Sequence, residues 1–208
     1  GCTGLRSIEI PNSVTSIRYF AFSGCTGLTS LEIPASVINI EDSAFSGCQN
    51  LTSIIVDKKN QKYDSRNDCN AIIDTQTNAL IMGCKNTIIP EDIKSIGVDA
   101  FYRCTGLTSI KIPDSVKTIG TRAFNGCTGL TSIEIPNSVT SIKYGAFSGC
   151  IGLTSIEIPD SVTTIESFAF SGCIGLTKVE IPDSVTIIGA FAFSGCTGLT
   201  SIEIPNSV

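Results

Sequence analysis

The sequence predicts a right-handed parallel β-solenoid of about nine coils, β-rich and α/β by class. Three observations predict it: cysteines recur every 23 residues, each period nearly copies the one before, and every period repeats one set of apolar positions. The cysteines that mark the period are Cys2, Cys25, Cys48, Cys104, Cys127, Cys150, Cys173 and Cys196. Because no single period can bury its apolar set alone, we expect the periods to stack around one continuous core.

Each period begins with a segment that is typical of a β-strand. Residues 130–135 read LTSIEI, and their last residues alternate between apolar and polar, which is the pattern of a strand with one buried face. Pro136 follows, and its missing N–H ends the strand. We therefore expect a parallel sheet of about nine such strands, stacked about 4.8 Å apart.

The remainder of each period predicts a short second strand and a tight turn. Val139 and Ile142 are two further inward positions on an extended segment. Phe147 and Cys150 fit one helical or 3-10 turn, and the glycines on either side of the cysteine permit sharp corners. Stacking of these turns predicts a single spine of phenylalanines, which are Phe22, Phe45, Phe101, Phe124, Phe147, Phe170 and Phe193.

One coil departs from the repeat. Val56 and Ile89 hold equivalent strand positions, but they lie 33 residues apart instead of 23. Two apolar runs flank residues 74–78, which predicts a β-hairpin that projects from the coil or extends it. We expect residues 1–208 to form a single domain with an irregular, hairpin-bearing coil at about residues 51–83. The chain begins and ends within a repeat, so we expect a fragment of a longer array.

The positions of the ten cysteines favour free thiols over a disulfide framework. Eight of them share one inward position on successive coils, where cysteine behaves as a small buried hydrophobe. The other two are out of phase. With the hairpin turn at residues 75–78, Ile72 faces Ile81 and Cys69 faces Cys84, so the last two form a possible disulfide.

The composition excludes several classes of function. Histidine is absent, so the chain has no histidine base for catalysis and no zinc site built on histidine. A net charge of −5, with 16% charged residues, argues against nucleic-acid binding. The mean hydropathy is +0.29, but no apolar run approaches the roughly 20 residues that span a bilayer. We expect no membrane insertion, no cofactor, no metal and no catalytic residues.

The repeat also resembles a known family. The pattern L-T-S-I-E-I-P-x-S-V-T-x-I-x-x-x-A-F-x-x-C is similar to the leucine-rich repeats of BspA-type bacterial surface proteins, and the match covers essentially the whole chain. The longer coil around Tyr63 and Cys84 resembles the variant coil of such arrays. This resemblance implies a leucine-rich-repeat solenoid at the cell surface or outside the cell, with an adhesive role and no enzymatic activity. Serines such as Ser138 and Ser161 stand at the usual asparagine position, so we expect serines, or another arrangement, to replace the buried asparagine ladder.

Two columns of side chains point outward from the main strands. The first is mostly serine, and the second is Glu9, Glu32, Ile55, Ile88, Lys111, Glu134, Glu157, Glu180 and Glu203. Stacked carboxylates repel each other. The glutamate row is therefore a solvated face, an acidic strip for a basic protein segment, or a calcium site. Calcium fits least, because it needs about six to eight oxygen ligands in a cage. The candidate binding residues of this strip are Lys111, Glu134, Glu157 and Glu180.

The interruption of the glutamate column is more informative. Ile55 and Ile88 are outward apolar residues beside the hairpin coil, and we expect the hairpin to cover them, because exposed apolar pairs are costly. If they are not covered, they form a binding hot spot. The hairpin region supplies three charged candidates, Lys58, Lys59 and Arg66. Specificity is expected in this non-repetitive segment, unless the hairpin is only a structural insert.

These features favour a protein that recognises a protein or glycan ligand and acts in adhesion. We expect it to be a monomer. A stalk or spacer that presents another domain is the first alternative. A carbohydrate-acting enzyme with paired glutamates is the second, and it is disfavoured because a uniform glutamate row lacks the distinct carboxylate environments that such enzymes need.

Overall fold

The computed structural model describes all residues, 1–208, and shows a β-solenoid of about eight turns. Each regular turn contains a main segment that ends at a proline, a short second strand, and a run of tight turns around the buried phenylalanine. No helix in the chain has the length and apolar character that crossing a bilayer would require.

The second strands form the most continuous sheet. They are β1 (Ser16–Ile17), β3 (Asn39–Ile40), β8 (Ser95–Ile96), β9 (Thr118–Ile119), β10 (Ser141–Ile142), β12 (Thr164–Ile165) and β14 (Ile187–Ile188). Five of them, β8 to β10, β12 and β14, pair in parallel within an eight-stranded sheet, and β1 pairs with β3 alone. Ile142 pairs with Ile119 on one side and Ile165 on the other, so the register follows the 23-residue period.

The main segments are less regular than the sequence predicts. They form two separate two-stranded parallel sheets, from β2 (Ser30–Ile33) with β4 (Ser53–Val56) and from β11 (Ser155–Glu157) with β13 (Lys178–Glu180). Elsewhere a single bridge joins Lys111 to Glu134. The expected sheet of about nine main strands is therefore replaced by short pairs. Every main segment except residues 51–56, which Asp57 follows, ends at a proline without an N–H donor, and this limits the length of its ladder.

The tight turns are held by hydrogen bonds within and between coils. Within one coil, the Cys150 N–H donates to the Phe147 carbonyl at 3.2 Å, which is the i to i+3 pattern of a 3-10 turn. Between coils, the Phe147 N–H donates to Ala169 at 2.8 Å and the Gly149 N–H donates to Ser171 at 2.7 Å. Gly149 has a φ of 71°, a left-handed conformation that glycine adopts without a steric penalty.

The interior is filled by columns of identical side chains. Phe147 and Cys150 are completely buried, and the ring of Phe147 stacks on Phe124 at 5.4 Å and on Phe170 at 5.5 Å. The thiols are also ordered, since Cys150 Sγ donates to the carbonyl of Phe124 at 3.2 Å. The stack thus removes the apolar surface of these side chains from water and also provides a hydrogen-bond acceptor for the weak thiol donor.

Serine hydroxyls replace the missing asparagine ladder. Ser161 Oγ donates to the carbonyl of Val139 in the preceding coil at 2.6 Å, and Ser184 Oγ donates to Val162 at 2.8 Å. The same bond recurs at Ser36, Ser115, Ser138 and Ser207. The expectation that serine takes over this role is confirmed.

The irregular coil contains a buried hairpin. It comprises β5 (Tyr63–Asp64), a 3-10 turn (Arg66–Asp68), β6 (Ala71–Asp74) and β7 (Ala79–Gly83). These three strands are antiparallel, and β7 pairs in parallel with β8, so the hairpin completes the eight-stranded sheet. All four residues of β6 are buried. Of the two expectations for the hairpin, extension is therefore the one observed, and projection is not.

The hairpin register differs by one residue from the expected one. Next to the turn it agrees, because Asp74 lies opposite Ala79, but a β-bulge after Ile72 places that residue opposite Met82 instead of Ile81. The same shift takes Cys84 away from the position opposite Cys69. Both thiols are free and buried, so the possible disulfide between them is not formed in this structure.

We expect the phenylalanine stack to contribute strongly to stability. Phe147→Ala should lower the free energy of unfolding by about 3 to 5 kcal/mol, because it leaves a large cavity in a closely packed interior. Phe20→Ala is the matched control, since Phe20 is 60% exposed and outside the stack, so its loss should change stability by less than about 1 kcal/mol. Urea denaturation followed by circular dichroism measures both, and equal effects would contradict the stacking role.

The thiols offer a second test. Cys2 is exposed, whereas Cys127 and Cys150 are fully buried, and burial raises the pKa of Cys150 to about 12. Iodoacetamide at pH 8 should therefore modify Cys2 in the native protein and leave Cys127 and Cys150 unmodified. In urea without reductant, all ten cysteines should react, as read by mass spectrometry. Protection of two thiols in urea would instead reveal a disulfide.

Candidate functional site

The outer face of the main segments has the column arrangement that the sequence predicts. Glu32 lies opposite Ile55 in β2 and β4, and Glu157 lies opposite Glu180 in β11 and β13. Lys111 bridges to Glu134. All the charged residues of this column are exposed.

Ile55 and Ile88 are not covered by the hairpin. Ile55 is 52% exposed and Ile88 is 74% exposed. The expectation of covering was wrong, because the hairpin packs inside the stack and leaves the outer face open. The two residues are also not direct neighbours in a ladder, since the Ile88 N–H donates to the carbonyl of Cys69 at 3.0 Å and the segment of residues 65–70 lies beside β4.

A groove of about 620 Å³ opens beside Ile55. Its walls come from β4, the loop that follows β4, and the 3-10 turn of the hairpin coil, and Lys58 and Arg66 line it together with Ile55. Three of the predicted site residues therefore meet at one place. Ile88, Lys59 and the acidic residues of later coils lie outside this groove.

Polar side chains take the place of a neighbouring strand along β4. The Val56 N–H donates to Ser65 Oγ at 3.0 Å, and the Ile54 N–H donates to Asn70 Oδ1 at 3.4 Å. Asn70 is positioned in turn by Thr87, whose hydroxyl donates to the Asn70 carbonyl at 2.6 Å. The irregular segment thereby satisfies a strand edge that would otherwise be open.

Sequence reasoning did not single out Ser65 and Asn70. Both lie in a run of short polar residues, residues 64–70, that reads DSRNDCN. Such side chains commonly hydrogen-bond to nearby backbone groups, so this composition was the available signal. The signal identifies a capping segment but not the strand that it caps.

Arg66 is held within the structure. Its Nε donates to Asp64 Oδ1 at 2.9 Å, and its Nη1 donates to Asn78 Oδ1 at 2.8 Å and to Asp92 Oδ2 at 2.5 Å. The hydrogen bond with Asp64, followed by that with Asp92, raises the pKa of Arg66 above its ordinary value. Arg66 therefore joins the 3-10 turn to the hairpin and to the next coil, which leaves less of its charge available to a ligand.

The other charged candidates differ in their partners. Lys111 pairs with Glu91 at 3.1 Å, and Lys178 pairs with Glu180 and lowers the pKa of that carboxyl. Glu134 and Glu157 form no ion pair, and neither do Lys58 and Lys59. These four exposed charges are accessible to a partner.

No group of three or more cysteine, aspartate or glutamate side chains converges in a way that could hold a metal ion. The glutamates of the outer face stand in an interrupted row, with at most one glutamate of this row in each coil. This geometry does not form the cage of oxygens that calcium requires.

The Arg66 contacts lead to a stability prediction. Arg66→Gln should lower the free energy of unfolding by about 1 to 2 kcal/mol, because Asp64 and Asp92 lose a charged donor in a partly buried position. Lys59→Gln removes a charge from the same coil that has no ionic partner, and it should leave the unfolding midpoint unchanged. Equal midpoints for both variants and the parent would show that Arg66 does not hold the hairpin coil.

Comparison with known proteins places the chain in a family. A search of curated proteins gives no match. The sequence profile described as the BspA type leucine rich repeat region matches six copies, over residues 1–72, 71–148 and 119–208.

Three solved structures illustrate the similarity. A leucine-rich cell surface protein from Faecalibacterium prausnitzii is 39% identical, with a TM-score of 0.83 over 93% of this chain and 52% of the other. A leucine-rich repeat protein from Bacteroides ovatus is 34% identical, with a TM-score of 0.65 over 93% of this chain and 48% of the other. The pneumococcal vaccine antigen PcpA, at 20% identity, shares the fold, with a TM-score of 0.78 over 99% of this chain and 62% of the other.

The chain spans about half the length of the first two of these proteins. The profile match, by contrast, runs from its first residue to its last. Together with the stacked 23-residue coils, this match shows that the chain belongs to the BspA-type leucine-rich-repeat family.

Proposed function

We propose that this chain is a non-enzymatic recognition module of a cell-surface or secreted bacterial protein, and that it binds a partner protein across the hairpin coil. The family and the cell-surface relative support the location. The observation that carries the proposal is the exposure of Ile55 and Ile88. In all the remaining coils, the same column position holds a charged residue.

The exposed isoleucines provide a source of binding energy. Removing a full apolar side chain from water is worth about 1.5 to 3 kcal/mol, and Ile88 is 74% exposed, so most of that gain is still available to a partner. Binding energy in protein interfaces is concentrated in a few well-buried residues near the centre. Ile55, at the mouth of the groove, and Ile88, beyond the capping segment, are suited to that position.

The free charges around these residues favour a partner with complementary charges. Lys58 lies at the groove, and Glu134 and Glu157 lie further along the same face without ionic partners. Such exposed charges influence the rate and selectivity of association more than its affinity. We therefore propose apolar anchoring at the hairpin coil and electrostatic guidance by the later coils.

The two alternatives are supported by fewer features. A spacer would need no irregular surface, although the uniform serine and glutamate columns of the later coils are compatible with one. An enzyme of the glycosidase type needs two carboxyl groups in different environments. Glu157 and Glu180 lie opposite each other on an open strand surface and are both exposed.

Substitution of Ile88 tests the proposal. The chain should bind at least one member of an array of purified extracellular-matrix and serum proteins. On that protein, Ile88→Ser should weaken binding at least tenfold, because an apolar anchor is lost. Surface plasmon resonance measures the affinity.

The matched control is Ile174→Ser. Ile174 is 50% exposed on a regular coil away from the hairpin, so this variant should bind as the parent does. Absence of binding to any protein on the array would favour the spacer, and binding to a glycan array alone would overturn the protein partner. Equal losses for the two variants would show that the hairpin coil does not carry the interaction.

A further inference from the structure

The solenoid contains two separate cores. Sixteen buried residues form one cluster, which runs from Ile17 to Cys84, and thirty-nine form the other, which runs from Cys69 to Cys196. The division passes through β6. Ile72 packs into the smaller cluster, whereas Ala71 and Ile73 pack into the larger one. Strand β6 therefore separates the two cores and contributes one of its faces to each of them.

The phenylalanine column breaks at the same place. Phe22 stacks on Phe45 at 5.3 Å, and a second stack continues from Phe101 through Phe193, but no stacked pair joins Phe45 to Phe101. The single spine expected from the sequence is thus two stacks. Gly83 lies at the break, where a Cβ atom would come within 2.2 Å of the Phe101 ring.

The backbone hydrogen bonds are also interrupted there. In the regular coils, the phenylalanine N–H donates to the alanine carbonyl of the next coil, as Phe22 does to Ala44. At the break, the Gly83 N–H takes the Ala100 carbonyl that the repeat would offer to Phe45. The one backbone bond that joins residues 1–56 to residues 63–208 runs from the Gly47 N–H to the Tyr102 carbonyl, at 3.1 Å.

Side-chain hydrogen bonds provide the remaining polar connection. Ser43 Oγ donates to the carboxylate of Asp99, and Asn86 Nδ2 donates to the carbonyl of Thr52 at 3.1 Å. The Ile40 N–H donates to Tyr63 Oη at 2.9 Å, and Ser65 and Asn70 accept from β4 as described above. Elsewhere the coils are joined by several backbone bonds at each step. The coils are therefore joined by the fewest backbone hydrogen bonds where the cores divide.

We infer that the chain consists of two cooperative units, residues 1–56 and residues 63–208, and that the hairpin coil is an internal boundary that lets the first unit open while the second stays folded. In stacked repeats, stability is close to a sum of coil terms and nearest-neighbour interface terms. A weak interface then separates regions that open at different free energies. The smaller core is the one that opens first, because it buries fewer apolar residues.

The buried thiols report on each unit in the full chain. Cys25 and Cys48 lie in the smaller core, and Cys127, Cys150 and Cys173 lie in the larger one. Pulsed labelling with N-ethylmaleimide across a urea series, read for each cysteine by peptide mass spectrometry, should modify the first pair at lower urea than the other three. One common midpoint for all five thiols would overturn the inference.

The two faces of β6 provide a matched pair of variants. Ile72→Ala should raise the opening equilibrium constant of the first unit about thirtyfold or more, which lowers the midpoint of Cys25 and Cys48 and leaves that of Cys150 unchanged. Ile73→Ala should lower the midpoint of Cys150 directly, since both isoleucines are completely buried but face different cores. If an alanine variant fails to fold, Ile72→Val and Ile73→Val give the same contrast with smaller shifts. Equal shifts of both groups in either variant would show a single cooperative unit.

Discussion

The structure depends on one constraint: a coil of 23 residues can bury its apolar side chains only against the coils on either side. Residues such as Ile142, Phe147 and Cys150 are fully buried only because identical residues lie above and below them. The hydrogen bonds obey the same constraint, since serine hydroxyls and backbone N–H groups find their partners one coil away. Any departure from the period must therefore supply its own replacements for both kinds of contact.

The hairpin coil supplies those replacements locally. Its β6 strand presents apolar side chains to both cores, and Ser65, Asn70 and Tyr63 accept hydrogen bonds that a regular coil would take through its backbone. The inserted strands occupy the interior, so the outer face beside them is open. The exposed isoleucines and the groove are a direct result of this packing, and they lie where the two cores meet.

Most charged side chains lie on the surface and contribute little to the stability of the fold. The ion pair between Lys111 and Glu91 is exposed at both side chains, and such pairs add little to stability. Arg66 differs because it joins two carboxylates and an amide in a partly buried site. Charged residues of one coil thus differ in their roles, because Arg66 is held by ion pairs whereas Lys58 and Lys59 have no ionic partner.

The sequence by itself determined the solenoid, the period, the inward residues and the outward columns. These follow from local patterns that each coil repeats, so one stacking rule fixes them all. The position of the hairpin could also be predicted, because apolar runs around residues 74–78 interrupt the period.

Only the tertiary structure decided which side of the hairpin is buried, where the β-bulge falls and whether the isoleucines are covered. Each of these depends on the space between two stacked coils, where the bulge after Ile72 sets which residues face each core. No repeating pattern encodes that space, because the hairpin occurs once in the chain. The tertiary structure likewise showed that Arg66 is engaged by Asp64 and Asp92, since its contacts cross from one coil to the next.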